Sequence, residues 1–270
     1  MSHPVGILEP FAWPVEPSVA IPVVITGAIY LQGWDRLRRR LPRRFEVRHA
    51  AVFLAGLATM LLALASAVDS LTHRWLSVHM VQHLLLMVVV PPMLWMGAPV
   101  VPLVVGLPRS IRCTLLAVTR APIGRRVTRW LLHPTVGWIA FALALWVWHA
   151  PALYDLALDS DLWHHVEHAC FLVSALLFWR PVILAWPAQM TWPRWTMLPY
   201  LGLAMFQSVP LAAILTFSDR VIYTRYSSVD DQALAGVIMW VPGSIPLLLP
   251  ILRVIVELSS ARVAIEGRHA

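Results

Sequence analysis

Lysine is absent from this chain of 270 residues, cysteine occurs twice, and charged residues make up only 13%. A soluble domain carries roughly a quarter of its residues as charges and about half as apolar groups. Here 59% are hydrophobic, so the composition excludes an ordinary soluble domain and points to a polytopic membrane protein. The two cysteines, Cys113 and Cys170, are far apart and form no paired motif, which argues against a disulfide scaffold and against thiol-based metal carriage. Residues 1–17 lack a basic n-region and carry prolines and acids instead; no cleavable signal peptide is expected, and the first apolar segment inserts uncleaved. No long linker, low-complexity tract or convincing internal repeat divides the chain, so one compact helical domain is expected.

Apolar stretches run near 18–33, 49–67, 78–97, 134–150, 163–179, 196–217 and 232–253, each close to the roughly 20 residues a helix needs to cross hydrocarbon. The expected fold is all-α, with seven transmembrane helices. The apolar segment 100–107 is too short to span, is interrupted by Pro102 and is bracketed by Pro99 and Pro108; it reads as a tail of the third helix or a surface segment. Prolines also break the third span at Pro91 and Pro92, the sixth at Pro199 and Pro210, and the seventh at Pro242 and Pro246. Such breaks are tolerated where neighbouring helices or a cavity satisfy the freed carbonyls.

All basic residues apart from histidine are arginines, and they are unevenly placed. Arg36, Arg38, Arg39, Arg40, Arg43, Arg44 and Arg48 fill the first connection, and Arg109, Arg112, Arg120, Arg125, Arg126 and Arg129 fill the third. By the positive-inside rule these connections are cytoplasmic. Most acids fall on the opposite side, among them Glu9, Glu16, Asp69, Asp155, Asp159, Asp161, Asp219, Asp230 and Asp231. The chain is therefore expected N-out and C-in, with a periplasmic segment 1–17, a seven-helix membrane domain 18–255 and a cytoplasmic tail 256–270. The net charge of +7 then reflects an arginine fringe against anionic lipid headgroups rather than nucleic-acid binding. The third connection, with Ile111, Leu115, Leu116 and Val118 among its arginines, suits a helix lying on the membrane surface.

Seven histidines, His73, His79, His83, His149, His164, His165 and His168, fall near segment ends on the predicted outer side. Ionisable groups at a bilayer edge usually mark a site. His79 and His83 are four apart, so they stack on one helix face about 6 Å apart along the axis. His164 and His168 repeat that spacing in the fifth span, with Glu167 beside them as an outer acceptor able to orient a ligating ring. His149 closes the fourth span. Three helices thus present His79, His83, His149, His164 and His168 to one layer, a pattern suited to a metal; hydrogen bonding to neighbouring helices or headgroups is the plainer alternative. His165 points about 100 degrees from His164 and is a poorer ligand candidate, as is His73. Imidazole suits copper, zinc, iron and nickel, while thioether donors favour Cu(I). Met80 and Met87 lie on the first histidine helix and Met239 in the seventh span, although methionine there more often packs than ligates. Copper is the favoured metal and zinc stays open.

Four spaced stretches carry a family resemblance. The first runs from His79 through Gln82, His83 and Leu86 to Pro91-Pro92; the second is Trp148-His149-Ala150-Pro151-Ala152-Leu153-Tyr154. The third is His164 to His168 with Phe178-Trp179, and the fourth is Asp231-Gln232 through Met239-Trp240 with Pro242-Gly243. Together, in this order and over about residues 20–255, they resemble the CtaG family of (caa3-type) cytochrome c oxidase assembly factors. The resemblance implies a multi-pass protein of the bacterial cytoplasmic (inner) membrane that helps mature haem-copper oxidase. It also implies copper delivery to the oxidase from a periplasm-facing site, with oxidase subunits and a periplasmic copper donor as partners and no catalytic turnover.

Two rival readings stand beside this one. His164-His165-Val166-Glu167-His168 fits the H-x-x-E-H pattern of zinc proteases, whose glutamate is a general base. Such an enzyme needs a third ligand, for which Asp219, Asp230 and Asp231 are the outer candidates downstream. A haem-binding or haem-handling protein would instead place two histidines on facing helices as axial ligands.

Overall fold

The structure is a computed structural model that describes residues 16–188 and 192–266. Most of the expected segment 1–17 lies outside these. All regular structure among the described residues is helical. Helix α1 (Pro17–Arg38) leads through the first arginine cluster to α2 (Val47–Leu64). A short α3 (Ala67–Thr72) then precedes a broken span: α4 (Leu76–Leu84), a π-helical stretch Leu85–Val89, and α5 (Val90–Met96). Next come α6 (Val100–Gly106), α7 (Arg109–Arg120), α8 (Pro122–Leu131) and α9 (Pro134–Trp148). The chain closes with α10 (Pro151–Asp159), α11 (Asp161–Ile183), α12 (Met197–Phe217) and the long α13 (Val229–Glu266), which continues as helix well past residue 255.

Six helices are long and apolar enough to cross a membrane, and a seventh span is reached if α8 and α9 are taken together across a bend of 58°. Helix α9 has only 15 residues, about 22 Å at 1.5 Å per residue, because Pro134 starts it and His149-Ala150-Pro151 stops it. Segment 100–107 is not a tail of α5 but a separate short helix, with only Pro102 and Gly106 buried. It turns back as α6 and lies backbone to backbone on α1, where a Cβ on Gly33 would meet the Pro102 carbonyl and one on Gly106 the Ile29 carbonyl. Glycine at both points permits that approach. Helices α7 and α8 are amphipathic with no buried residue, as their mixture of arginine and aliphatic side chains predicts.

The two larger apolar cores among the described residues share the α4–α5 span. One joins α1, α2 and α5 through Val23, Tyr30, Phe53, Leu57, Val90 and Leu94, with Tyr30 stacked on Phe53 at 3.8 Å. The larger one joins α4 and α9 to α13, and includes Met80, Phe141, Phe171, Phe178, Leu201 and Leu215. The break inside the shared span follows from its prolines. The Met87 carbonyl meets Pro91 at α-helical spacing and Pro92 at π-helical spacing, and proline has no N–H to give. Trp179 of α11 supplies the missing donor, its indole Nε1 donating to the Met87 carbonyl at 2.9 Å.

Candidate metal centre

On α4 the buried positions Leu76, His79, Met80 and His83 form one stripe, continued by Met87 in the π-helical stretch. On α11 the stripe is His164, Glu167, His168, Phe171, Ala175 and Phe178. Both follow the 3.6-residue period, so the apolar residues that bury each helix carry the polar ones inward with them. The stripes face each other. One ligand atom from each of His79, His83, Glu167 and His168 lies within 4.8 Å of the others.

His164 and His149 flank this group. The His164 ring lies 4.2 Å from that of His168 and 5.3 Å from that of His79, and the His149 ring lies 5.8 Å from that of His83. The five candidate histidines are thus gathered into one cluster. His165 instead turns outward, with Nδ1 bonded to the Asp161 carbonyl and Nε2 2.7 Å from Glu16. Met80 and Met87 are buried among the larger core's side chains.

Donor counting bears on whether a metal fits. His149 Nδ1 donates to the Leu145 carbonyl at 2.7 Å, which leaves the lone pair on Nε2. The Tyr226 hydroxyl gives its one proton to the Thr72 carbonyl at 2.7 Å, so toward His79 Nδ1 at 3.0 Å it accepts. That assignment places the His79 lone pair on Nε2 as well. Among the described residues, Nε2 of His79, His83, His149, His164 and His168 and both carboxylate oxygens of Glu167 are buried without a hydrogen-bond partner. Buried polar atoms are nearly always satisfied, and a buried carboxylate is paired or ligated. Glu167 is fully buried, and its ion-pair contact is His83 Nε2 at 3.6 Å. Unpartnered imidazole nitrogens and a carboxylate gathered within 4.8 Å of one another are what a cation needs; the residues fit a metal.

Tyr154, Asp231 and Gln232 stand in the stretches that carry the family resemblance, but helical spacing gave them no role; the structure makes them part of the frame around this cluster. Tyr154 places its hydroxyl 2.9 Å from His79 Nδ1 and stacks on Tyr223 at 3.9 Å; Tyr223 in turn donates to the His149 carbonyl at 3.0 Å. Burial raises the hydroxyl pKa of Tyr154, Tyr223 and Tyr226 above the ordinary tyrosine value, and the nearby Glu167 charge adds to each. Asp231 receives the Leu76 N–H at 2.6 Å and the Ser77 hydroxyl at 2.5 Å, capping α4 from across the bundle. Gln232 accepts from the Ile222 N–H at 2.7 Å and donates to the Arg220 carbonyl at 3.1 Å, shaping the loop that delivers both loop tyrosines. The available signal was the Asp231-Gln232 pair itself, polar residues opening an apolar helix.

Fold and site together define a polytopic helical membrane protein with a buried, histidine-rich centre capable of holding a metal. Comparison with known proteins supplies the family. The chain belongs to the cytochrome c oxidase caa3 assembly factors (Caa3_CtaG), which it matches over residues 28–261. It is also similar to an uncharacterized protein of Mycobacterium bovis, 27% identical over 96% of this chain and 41% of the relative. An uncharacterized protein of Mycobacterium leprae is 25% identical over all of this chain and 43% of the relative. The chain thus spans about two fifths of the length of these curated relatives. No solved structure matches it.

Proposed function

We propose that this protein binds copper, as Cu(I), at the His79–His83–Glu167–His168 centre, with His149 and His164 as alternative ligands, and hands it to a cytochrome c oxidase during assembly. The observation that carries this reading is the set of buried, unpartnered imidazole and carboxylate atoms drawn from three helices. The metal is cargo, and the residues' work is to hold it: Tyr226 and the Leu145 carbonyl fix ring tautomers, and α4 and α11 set the spacing. The arginine and acid distributions support placing the centre at the periplasmic face of a bacterial inner membrane, N-out and C-in, with residues 18–255 as the membrane domain. Oxidase subunits and a periplasmic copper donor are the partners this role requires. No catalytic turnover is needed.

Two observations weigh against the rivals. Neighbouring rings of the cluster lie 4.2 to 5.8 Å apart between centroids, too close to admit a porphyrin between axial ligands. For a zinc protease the downstream acid Asp231 is committed to the start of α4, and Asp219 and Asp230 are exposed. Elemental analysis of detergent-purified protein tests the reading: bound copper is expected, and its loss when His79 and His83, or His164 and His168, are replaced together. Stoichiometric copper in either double variant overturns the shared centre, since that centre draws its donors from both α4 and α11.

A further inference from the structure

Beside the centre lies a cavity of about 410 Å³ between α1, α2, α3 and α11. Its walls are apolar at Met60, Leu64 and Leu172, and three carboxylates line it on the side open to solvent, where Asp161 is exposed and Glu16 and Asp69 are half-buried. His73 and His165 stand among them. His164 and His168, each more than nine-tenths buried and each with an unpartnered Nε2, form its buried wall. The cavity therefore joins a negatively charged mouth to two members of the cluster.

The imidazoles form a ladder inward from that mouth. The His73 ring is 5.9 Å from that of His164, which is 4.2 Å from that of His168 and 5.3 Å from that of His79. The His79 and His83 rings are 4.3 Å apart. Steps of this size allow a cation to form a bond to the next ring before it leaves the last. Asp69 is held at the mouth, because Gln82, on α4 between His79 and His83, donates to its Oδ1 at 2.7 Å. Gln82 thus ties Asp69 of α3 to the helix that carries His79 and His83.

We propose that this cavity is the intake for the metal: Asp69 and His73 capture the cation at the mouth and pass it through His164 to the His79–His83–Glu167–His168 centre. The inference rests on the metal-binding reading above and adds a route to it. Three carboxylates around a cavity with low-dielectric walls concentrate cations there, which raises capture rates more than final affinity. His73 and Asp69 are positioning residues for uptake and not ligands of the resting centre.

Stopped-flow uptake of Cu(I) from a chromogenic chelator by the full-length protein in detergent tests this, read alongside equilibrium stoichiometry and affinity. Asp69→Asn keeps an oxygen for Gln82 to donate to, and His73→Ala removes an exposed side chain. Each variant is expected to load about tenfold more slowly while reaching the native stoichiometry and affinity. Native uptake should slow as salt is raised, and Asp69→Asn should lose much of that dependence. Native loading rates in both variants overturn the route alone. A fall in affinity that matches the fall in rate also overturns it, because the residues would then belong to the centre itself. A native protein that takes up no metal overturns the metal-binding reading and the route with it.

Discussion

The Asp231 carboxylate sits on the first turn of the helix that carries His79 and His83, accepting the Leu76 N–H at 2.6 Å. Helix starts leave unsatisfied N–H groups, and α4 has no side-chain cap at its own N-cap residue, Trp75. A residue from the last helix fills that role.

Removing this cap should therefore act on the metal without touching a ligand. Asp231→Ala is expected to destabilise the protein by about 1 kcal/mol or more, the usual scale of a lost cap, and to weaken metal binding while leaving saturating stoichiometry unchanged. Asp231→Asn, which still offers one acceptor, should lie between the two. Thermal melts in detergent and chelator competition measure both effects; native affinity in Asp231→Ala would show that the cap does not position the histidines.

A second prediction concerns the break below the histidines. Trp179→Phe keeps a six-membered aromatic ring but removes the indole N–H that donates to the Met87 carbonyl, a donor neither Pro91 nor Pro92 can replace. An unsatisfied buried carbonyl costs about 1–3 kcal/mol, and a drop of that size in unfolding free energy is expected. A neutral substitution would mean that the π-helical stretch closes by itself.

Why some of this was legible in the sequence and some not follows from period and distance. The stripe spacing of four placed His79 with His83 and His164 with His168, and helical geometry alone turned His165 outward. Glu167 is three residues from His164 and so shares its face, yet its entry into the donor set depended on how α11 rotates against α4, a tertiary property. Tyr154, Tyr226 and Asp231 reach the site from segments separated from α4 by 75, 147 and 155 residues, and no local pattern announces such a contact. The packing of segment 100–107 on α1 was hidden for the same reason: its glycine at 106 lies against Gly33 and Ile29, some seventy residues away.

The tyrosine frame gives a pH prediction. Tyrosine ordinarily ionises near pH 10, and burial raises Tyr154, Tyr223 and Tyr226 above that. In the unfolded chain these hydroxyls lose their protons near 10, while the folded protein retains them. Stability from keeping them neutral is thus full below pH 10 and declines as pH rises above it toward the folded values. Phenolate absorbance from these three should appear together with loss of the fold; reversible ionisation near pH 10 in the intact protein would contradict their burial.

Orientation has its own test. A cysteine introduced at Ser160, between α10 and α11, should react with a membrane-impermeant thiol reagent in intact cells, and one at Ala121, between α7 and α8, should not. The native Cys113 lies on the α7 side and should likewise stay unlabelled. Reversed labelling would put the histidine cluster in the cytoplasm and remove the periplasmic hand-off.

Delivery is separable from catalysis and from haem handling in the cell. A strain lacking this protein should make oxidase that is short of copper and inactive, and abundant external copper should restore part of the activity by mass action. No metal supplement would replace a missing proteolytic cleavage, and loss of a haem carrier would leave haem deficient instead of copper. His83→Ala should behave like the deletion: His83 is 3% exposed, with Nε2 3.6 Å from Glu167, so a variant there leaves the buried carboxylate without its neighbour and the centre without a ligand. Full oxidase copper content and activity in the His83→Ala strain would sink the delivery reading, because the histidine at the heart of the cluster would then be dispensable to the one process that requires it.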